Sequence, residues 1–312
     1  FVNDNFKVSL KDFKNGYLSG EFILSSENKI FREHDIKLDE ADNLNEVIFD
    51  INSGSYFDNN ITSRSNDIIN LTVDTSSFTL NKKIAVFFKK PCEIKTNRYM
   101  ADSLNVLSAD NGIITIKTSP DFSYSLFSLI YKEQEWLDTS FPSPGLKSWW
   151  NPWVGGINLI ISGISTASML EESRQADFVE LKDVLGNTWK GIRNVVNIQK
   201  NELYKGLKVG IYFLMLPGIP VVCCMTGILQ KTGRYLNRVS FINECFFKTS
   251  DKIKESWITF EDGKKEMFKL KAGKEERYIS AGSTAMYGSD VRKERLLIFA
   301  DNKKLDFDVG VN

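Results

Sequence analysis

A chain of 312 residues with 42% hydrophobic and 26% charged side chains has the composition of a globular protein, long enough for one large β domain or two ordinary ones. The 40 basic and 40 acidic side chains cancel, which gives no electrostatic reason to expect nucleic acid or an anionic membrane as a partner. One histidine and four cysteines without a C-x-x-C pair are too few ligands for a zinc site, and neither metal nor cofactor is expected.

The chain opens on short runs rich in β-branched and aromatic residues: Val8–Leu10, Tyr17–Leu24, Glu46–Ile51, Ile68–Val73 and Ile84–Phe88. Asn, Asp, Ser and Gly clusters separate them, which is the pattern of strands joined by turns. They predict a smaller β-rich N-terminal lobe over residues 1–100. The histidine, His34, sits in Phe31-Arg32-Glu33-His34-Asp35 ahead of the strand Ile36–Leu38 and reads as a surface residue. No G-x-S-x-G accompanies it, so a Ser-His-Asp nucleophile system is excluded.

A seam is expected near residues 92–110. Beyond it come Asn111-Gly112, a favoured tight-turn pair, and the strand Ile113–Lys117. Helical apolar stripes are scarce, and turn signals recur at intervals of roughly ten residues. The expected fold class is all-β and mainly antiparallel, with residues 101–312 forming a large sandwich of two stacked sheets.

Next comes the segment Trp149-Trp150-Asn151-Pro152-Trp153-Val154-Gly155-Gly156-Ile157, which holds three of the six tryptophans within five residues. A tryptophan is costly to expose and serves best where a flat face meets a ligand or a core. The segment therefore builds either a buried corner or a concave platform for a flat, partly apolar ligand such as a sugar ring. Under the platform reading, Trp149, Trp150, Asn151 and Trp153 surround the ligand together with Arg193, whose planar guanidinium suits sugar hydroxyls, and Glu172. Other carboxylates flank the cluster: Asp121, Glu133, Glu135, Asp138 and Glu171. Sugar chemistry needs two facing carboxyls, and spacing alone brings no two of these together.

The most apolar run, Val209–Leu229, approaches the ~20 residues of a membrane helix. Pro217, Gly218 and Pro220 in its middle argue instead for two buried strands, Lys208–Leu216 and Val221–Leu229, joined by a turn. No membrane association is expected. Cys223 and Cys224 fall on the second strand, which is expected to be central, with at least one of them buried and neither in a disulfide, in a reducing cytoplasmic compartment. The lysine-rich tract Glu261–Arg277 reads as a solvated hairpin. The chain starts inside strand-like sequence at Phe1 and stops just after Leu305–Val309, which suggests a piece of a longer polypeptide with covalently linked neighbouring domains.

One order of features runs through residues 110–312. A strand leads to Ser119-Pro120-Asp121-Phe122 and Ser125-Leu126-Phe127-Ser128-Leu129, then to Phe141-Pro142 and the Trp-rich Gly-Gly turn. Trp189-Lys190-Gly191-Ile192-Arg193 and the paired strands around Gly218-Ile219-Pro220-Val221 follow. This ordering resembles the antiparallel supersandwich of galactose-mutarotase-like proteins, which bind or process carbohydrates. That family protonates the ring oxygen with histidine and uses a carboxylate as base. No histidine follows residue 110 here, so its catalytic residues have no counterpart. The resemblance implies the fold and a sugar-sized groove. Three readings follow: a carbohydrate-binding module, a lyase or epimerase working with carboxylate, Tyr or Arg, or a structural or regulatory domain of a larger enzyme.

Overall fold

The computed structural model describes residues 5–8, 20–26, 34–38, 47–50, 66–75, 78–87, 92–147, 150–184, 186–248, 255–260, 265–269, 279–280, 284–289, 296–299 and 308–309. Every strand pairing among them is antiparallel, and helix is confined to one short element, so the fold is all-β as the strand pattern predicts.

The first strands are β1 (Asn5–Val8), β2 (Gly20–Ser26), β3 (His34–Leu38), β4 (Val47–Asp50), β5 (Asn66–Thr75) and β6 (Thr79–Phe87). β1 pairs with β4, and the other four form a sheet in the order β3-β2-β5-β6. Period-two alternation is clean here: Ile69, Leu71 and Val73 of β5 are buried beside Phe22 and Leu24 of β2. The β5–β6 turn is held by Thr75, which bonds the Phe78 backbone in both directions, and by Thr79 on Asp74. His34 lies on β3 opposite Leu24. Its side chain falls outside the described residues.

The central strands are β7 (Lys95–Ala101), β8 (Leu104–Asp110), β9 (Ile114–Thr118), β10 (Leu126–Tyr131), β11 (Gln134–Glu135), β12 (Gly145–Lys147), β13 (Trp150–Trp153) and β14 (Ile157–Ile161). After the helix α1 (Thr166–Glu171) come β15 (Ser173–Lys182), β16 (Thr188–Asn197), β17 (Leu207–Met215), β18 (Val222–Gln230) and β19 (Phe241–Cys245). One sheet runs β19-β14-β10-β9-β8-β7, with β11 added on β10; a second runs β15-β16-β17-β18. The strand that crosses residue 100, β7, pairs with β8 in the first of these sheets.

The two sheets stack into a sandwich with one continuous core. Leu107, Ala109, Ile116, Leu126 and Leu159 enter it from the first sheet, and Ile192, Val196, Val209, Ile211 and Phe213 from the second, all with no measurable exposure. A bulge between Leu126 and Ser128 puts Leu126 and Leu129 on this same core although they are three apart. Between them Phe127 turns the other way, into a second cluster with Phe122, Val106 and Val154. Its ring stacks on Phe141 at 4.0 Å.

Two buried asparagines tie the layers. The Asn194 amide donates to Thr118 Oγ1 and to the Tyr124 carbonyl across the core. Asn111 locks the β8–β9 turn, the Asn-Gly turn read from the sequence, to the turn after β17.

The apolar run 209–229 forms the expected hairpin, with Met215 opposite Val222 across the Pro-Gly-Ile-Pro turn. One expectation on it is overturned: among the described residues β18 closes its sheet as an outer strand, not a central one. Val222 and Cys224 pack against the core, while Met225, Ile228 and Leu229 further along the strand are exposed. Cys223 and Cys224 are half-buried, and none of the four cysteines is in a disulfide. No helix among the described residues is long and apolar enough to cross a membrane.

Beyond the sandwich, β20 (Glu255–Phe260), β21 (Lys265–Lys269), β22 (Ile279–Ser280), β23 (Thr284–Ser289), β24 (Leu296–Phe299) and β25 (Asp308–Val309) form a sheet β21-β20-β23-β24 and a pair β22-β25. The lysine-rich tract supplies the second strand of the β20–β21 hairpin, and its remainder, 261–264 and 270–277, lies outside the described residues.

Candidate functional site

The tryptophan segment forms a small hairpin of β12 and β13, with Ser148 and Trp149 outside the described residues. Trp153 is 7% exposed. Its ring meets the edge of Phe246 at 5.5 Å, and Trp150, half-buried, meets the same ring at 4.9 Å. The Lys147 ammonium caps Trp153 from 4.4 Å and is ion-paired with Asp138. The glycines serve this packing. Gly155 has a φ of 66°, and a Cβ there would lie 2.6 Å from the Trp153 ring and 2.3 Å from the Asp138 carbonyl. The Trp153 indole N–H is buried without a hydrogen-bond partner. Asn151 is exposed at the hairpin edge. Trp150 and Trp153 thus pack around Phe246.

Glu172 closes α1 and is 4% exposed. Its carboxylate accepts from the backbone N–H groups of Gln199 at 2.8 Å, Lys200 at 3.1 Å and Asn201 at 2.9 Å. Burial pushes this carboxyl up, but the three amides and the Lys200 charge outweigh it and hold the group below its ordinary range. The Glu172 carboxylate is therefore engaged by the 199–201 loop. A carboxyl with a lowered folded pKa stabilises fully above its unfolded value of about 4.3, and that contribution fades as pH falls through the folded value. Glu172→Gln is expected to cost about 1–3 kcal/mol near neutral pH, with a smaller difference from the parent in acid. Urea titrations at about pH 7 and about pH 3 check this, and an equal difference at both would refute it.

Arg193 lies elsewhere. The register of β15, β16 and β17 aligns Asp177, Arg193 and Tyr212 in one row across the sheet. Arg193 donates to Asp177 through Nε at 3.0 Å and Nη2 at 2.5 Å, a bidentate pair. The hydrogen bonds of Asp177 and then Tyr212 push the guanidinium pKa well above its ordinary value. Its carbon sits 5.9 Å from the Tyr212 ring centre. That ring fills the space in front of two glycines facing each other across the hairpin, Gly210 and Gly227, where a Cβ would lie 3.1 and 3.2 Å from it.

Beside this row is a cleft of about 360 Å³, walled by Arg98 of β7, Arg174, Gln175 and Asp177 of β15, Arg193 and Val195 of β16, and Lys208 of β17. Among the described residues, neither Trp150 nor Trp153 lines it. Arg174 is fixed by the carbonyls of Pro120, at 2.9 Å, and Leu170. Arg98 donates to the Ala176 carbonyl at 3.3 Å. Sequence reasoning missed Arg98, Arg174, Asp177 and Lys208. Among the described residues no three His, Cys, Asp or Glu side chains gather as metal ligands.

No protein-family model matches this chain, and neither the curated proteins nor the solved structures compared with it gave a match.

Proposed function

We propose that the chain is a carbohydrate-binding module of a longer, cytoplasmic polypeptide, built on a sandwich of the galactose-mutarotase-like kind, with its sugar site in the Arg193 cleft. The observation that carries this reading is the row of planar polar groups along the cleft. Sugar hydroxyls donate and accept at once. The Arg193 guanidinium offers donors, Asp177 acceptors and Gln175 both. Val195, buried in the wall, gives a C–H face an apolar surface. The volume lies within the ~300–1,000 Å³ of small-molecule sites.

Binding is favoured over a lyase or epimerase because, among the described residues of the wall, the one carboxylate, Asp177, is already paired with Arg193 and no tyrosine is present to serve as acid or base. Four cysteines outside any disulfide support a reducing compartment. The reading as a structural or regulatory domain draws on the buried Trp153 corner, which needs no ligand.

A glycan array with the full chain tests the proposal. Arg193→Ala is expected to weaken the retained glycan at least about tenfold, a loss of about 1.4 kcal/mol, while the thermal transition stays in place because the Arg193–Asp177 pair is half-exposed. An array on which the parent retains nothing would favour the structural domain. Undiminished binding by Arg193→Ala would move the site away from this cleft.

A further inference from the structure

We infer that the sugar taken by this cleft is anionic, carrying a carboxylate or sulfate that sits between Arg98, Arg174 and Lys208; the inference rests on the carbohydrate-binding reading above. The cleft wall carries four cations, Arg98, Arg174, Arg193 and Lys208, against the single carboxylate of Asp177. Asp177 is occupied by Arg193 through both oxygens. Three positive charges from three strands, β7, β15 and β17, are left facing the same space.

Two features set this apart from a scattering of surface charge. The whole chain is electroneutral, with 40 basic and 40 acidic side chains, so the excess is local. The guanidiniums of Arg98 and Arg174 are also held by carbonyl oxygens of Ala176, Pro120 and Leu170. Carbonyls orient a guanidinium without cancelling its charge, so both cations are positioned with donors to spare. Asp121 lies within electrostatic reach of Arg174, but it is not on the cleft wall, and one of its oxygens already accepts two bonds from Asn105. Arg98 and Lys208 are exposed, so water screens these like charges while the cleft is open, and an entering anion adds direct attraction to them. A carboxylate or sulfate matches the planar fork of arginine, whereas a neutral ring would leave the three charges uncompensated.

The test uses the full chain and three tetrasaccharides of equal length: neutral galactotetraose, an oligogalacturonate and a sulfated galactan. Inorganic sulfate serves as a competitor. The expected result is at least about tenfold tighter binding of an acidic tetrasaccharide than of the neutral one, weakening as salt rises. Arg98→Ala and Lys208→Ala should each remove most of that preference and flatten the salt dependence, with unchanged thermal transitions. Neutral binding equal to or tighter than acidic binding would overturn the inference and leave the carbohydrate reading standing. Binding of none of the three, with the parent folded, would overturn both. Displacement of the acidic sugar by sulfate at equal molar concentration would show that the anion alone is recognised, and would overturn the inference as well.

Discussion

Trp153→Ala is expected to lower the stability of the chain by about 3–5 kcal/mol, the cost of truncating a buried aromatic to Ala. Trp153 is 7% exposed, and three groups close on its ring: Phe246 on an edge, the Lys147 ammonium on a face and the backbone at Gly155. None of them is placed to collapse into the hole. Phe246 is also held by Trp150, and Gly155 is fixed at positive φ between Asp138 and the ring. Urea or thermal unfolding measures the loss, and a change below about 1 kcal/mol would show that the ring is not part of the packing. A companion variant separates corner from platform. Trp153→Phe keeps a ring against Phe246 and removes an indole N–H that is buried without a partner, so its cost should stay under about 1.5 kcal/mol. It should also leave glycan binding intact, because Trp153 does not line the cleft. A Phe variant that stays stable but loses binding would return the tryptophans to the ligand site.

The tryptophan segment also marks where sequence reasoning stops. Its composition announces a rigid aromatic feature, and Gly155 and Gly156 announce close approach, both of which the structure contains. What those glycines approach is not local information. A platform and a corner require the same residue types, and the choice is made by Phe246, which reaches the indoles from just beyond β19. The β17–β18 hairpin was legible because both strands and the Pro-Gly turn are contiguous. The place of β18 at the sheet margin was not, because sheet order depends on which strand lies beyond it. The cleft shows the same division. Arg193 stands out by its guanidinium, but its partner Asp177 is set by the β15–β16 register, and Arg98 comes from the opposite sheet. Glu172 was conspicuous as a carboxylate near the tryptophans, yet the amides that claim it belong to the 199–201 loop.

Asn111→Ala is expected to cost about 3 kcal/mol or more, because one side chain serves four backbone groups that would lose their partner together. Its amide nitrogen donates to the carbonyls of Leu216 at 2.8 Å and Ile219 at 2.7 Å. Its amide oxygen accepts from the backbone N–H groups of Ile113 at 3.0 Å and Ile114 at 2.7 Å. The residue has no measurable exposure, so water has no route to replace these bonds without opening the fold. The backbone of Asn111 adds to the junction by accepting from Gly218 N at 2.8 Å. The Asn-Gly turn and the Pro-Gly turn, separate features in the sequence, are therefore one unit joining the two sheets. Asn111→Asp tests the role of the amide nitrogen: a carboxylate can still accept from Ile113 and Ile114 but faces two carbonyls without a donor, so it too should destabilise strongly. Amide hydrogen exchange locates the effect. Faster exchange is expected in both variants at Ile114 on β9 and at Gly218 in the turn after β17, and loss of protection at one of them alone would show that Asn111 does not couple the two sheets.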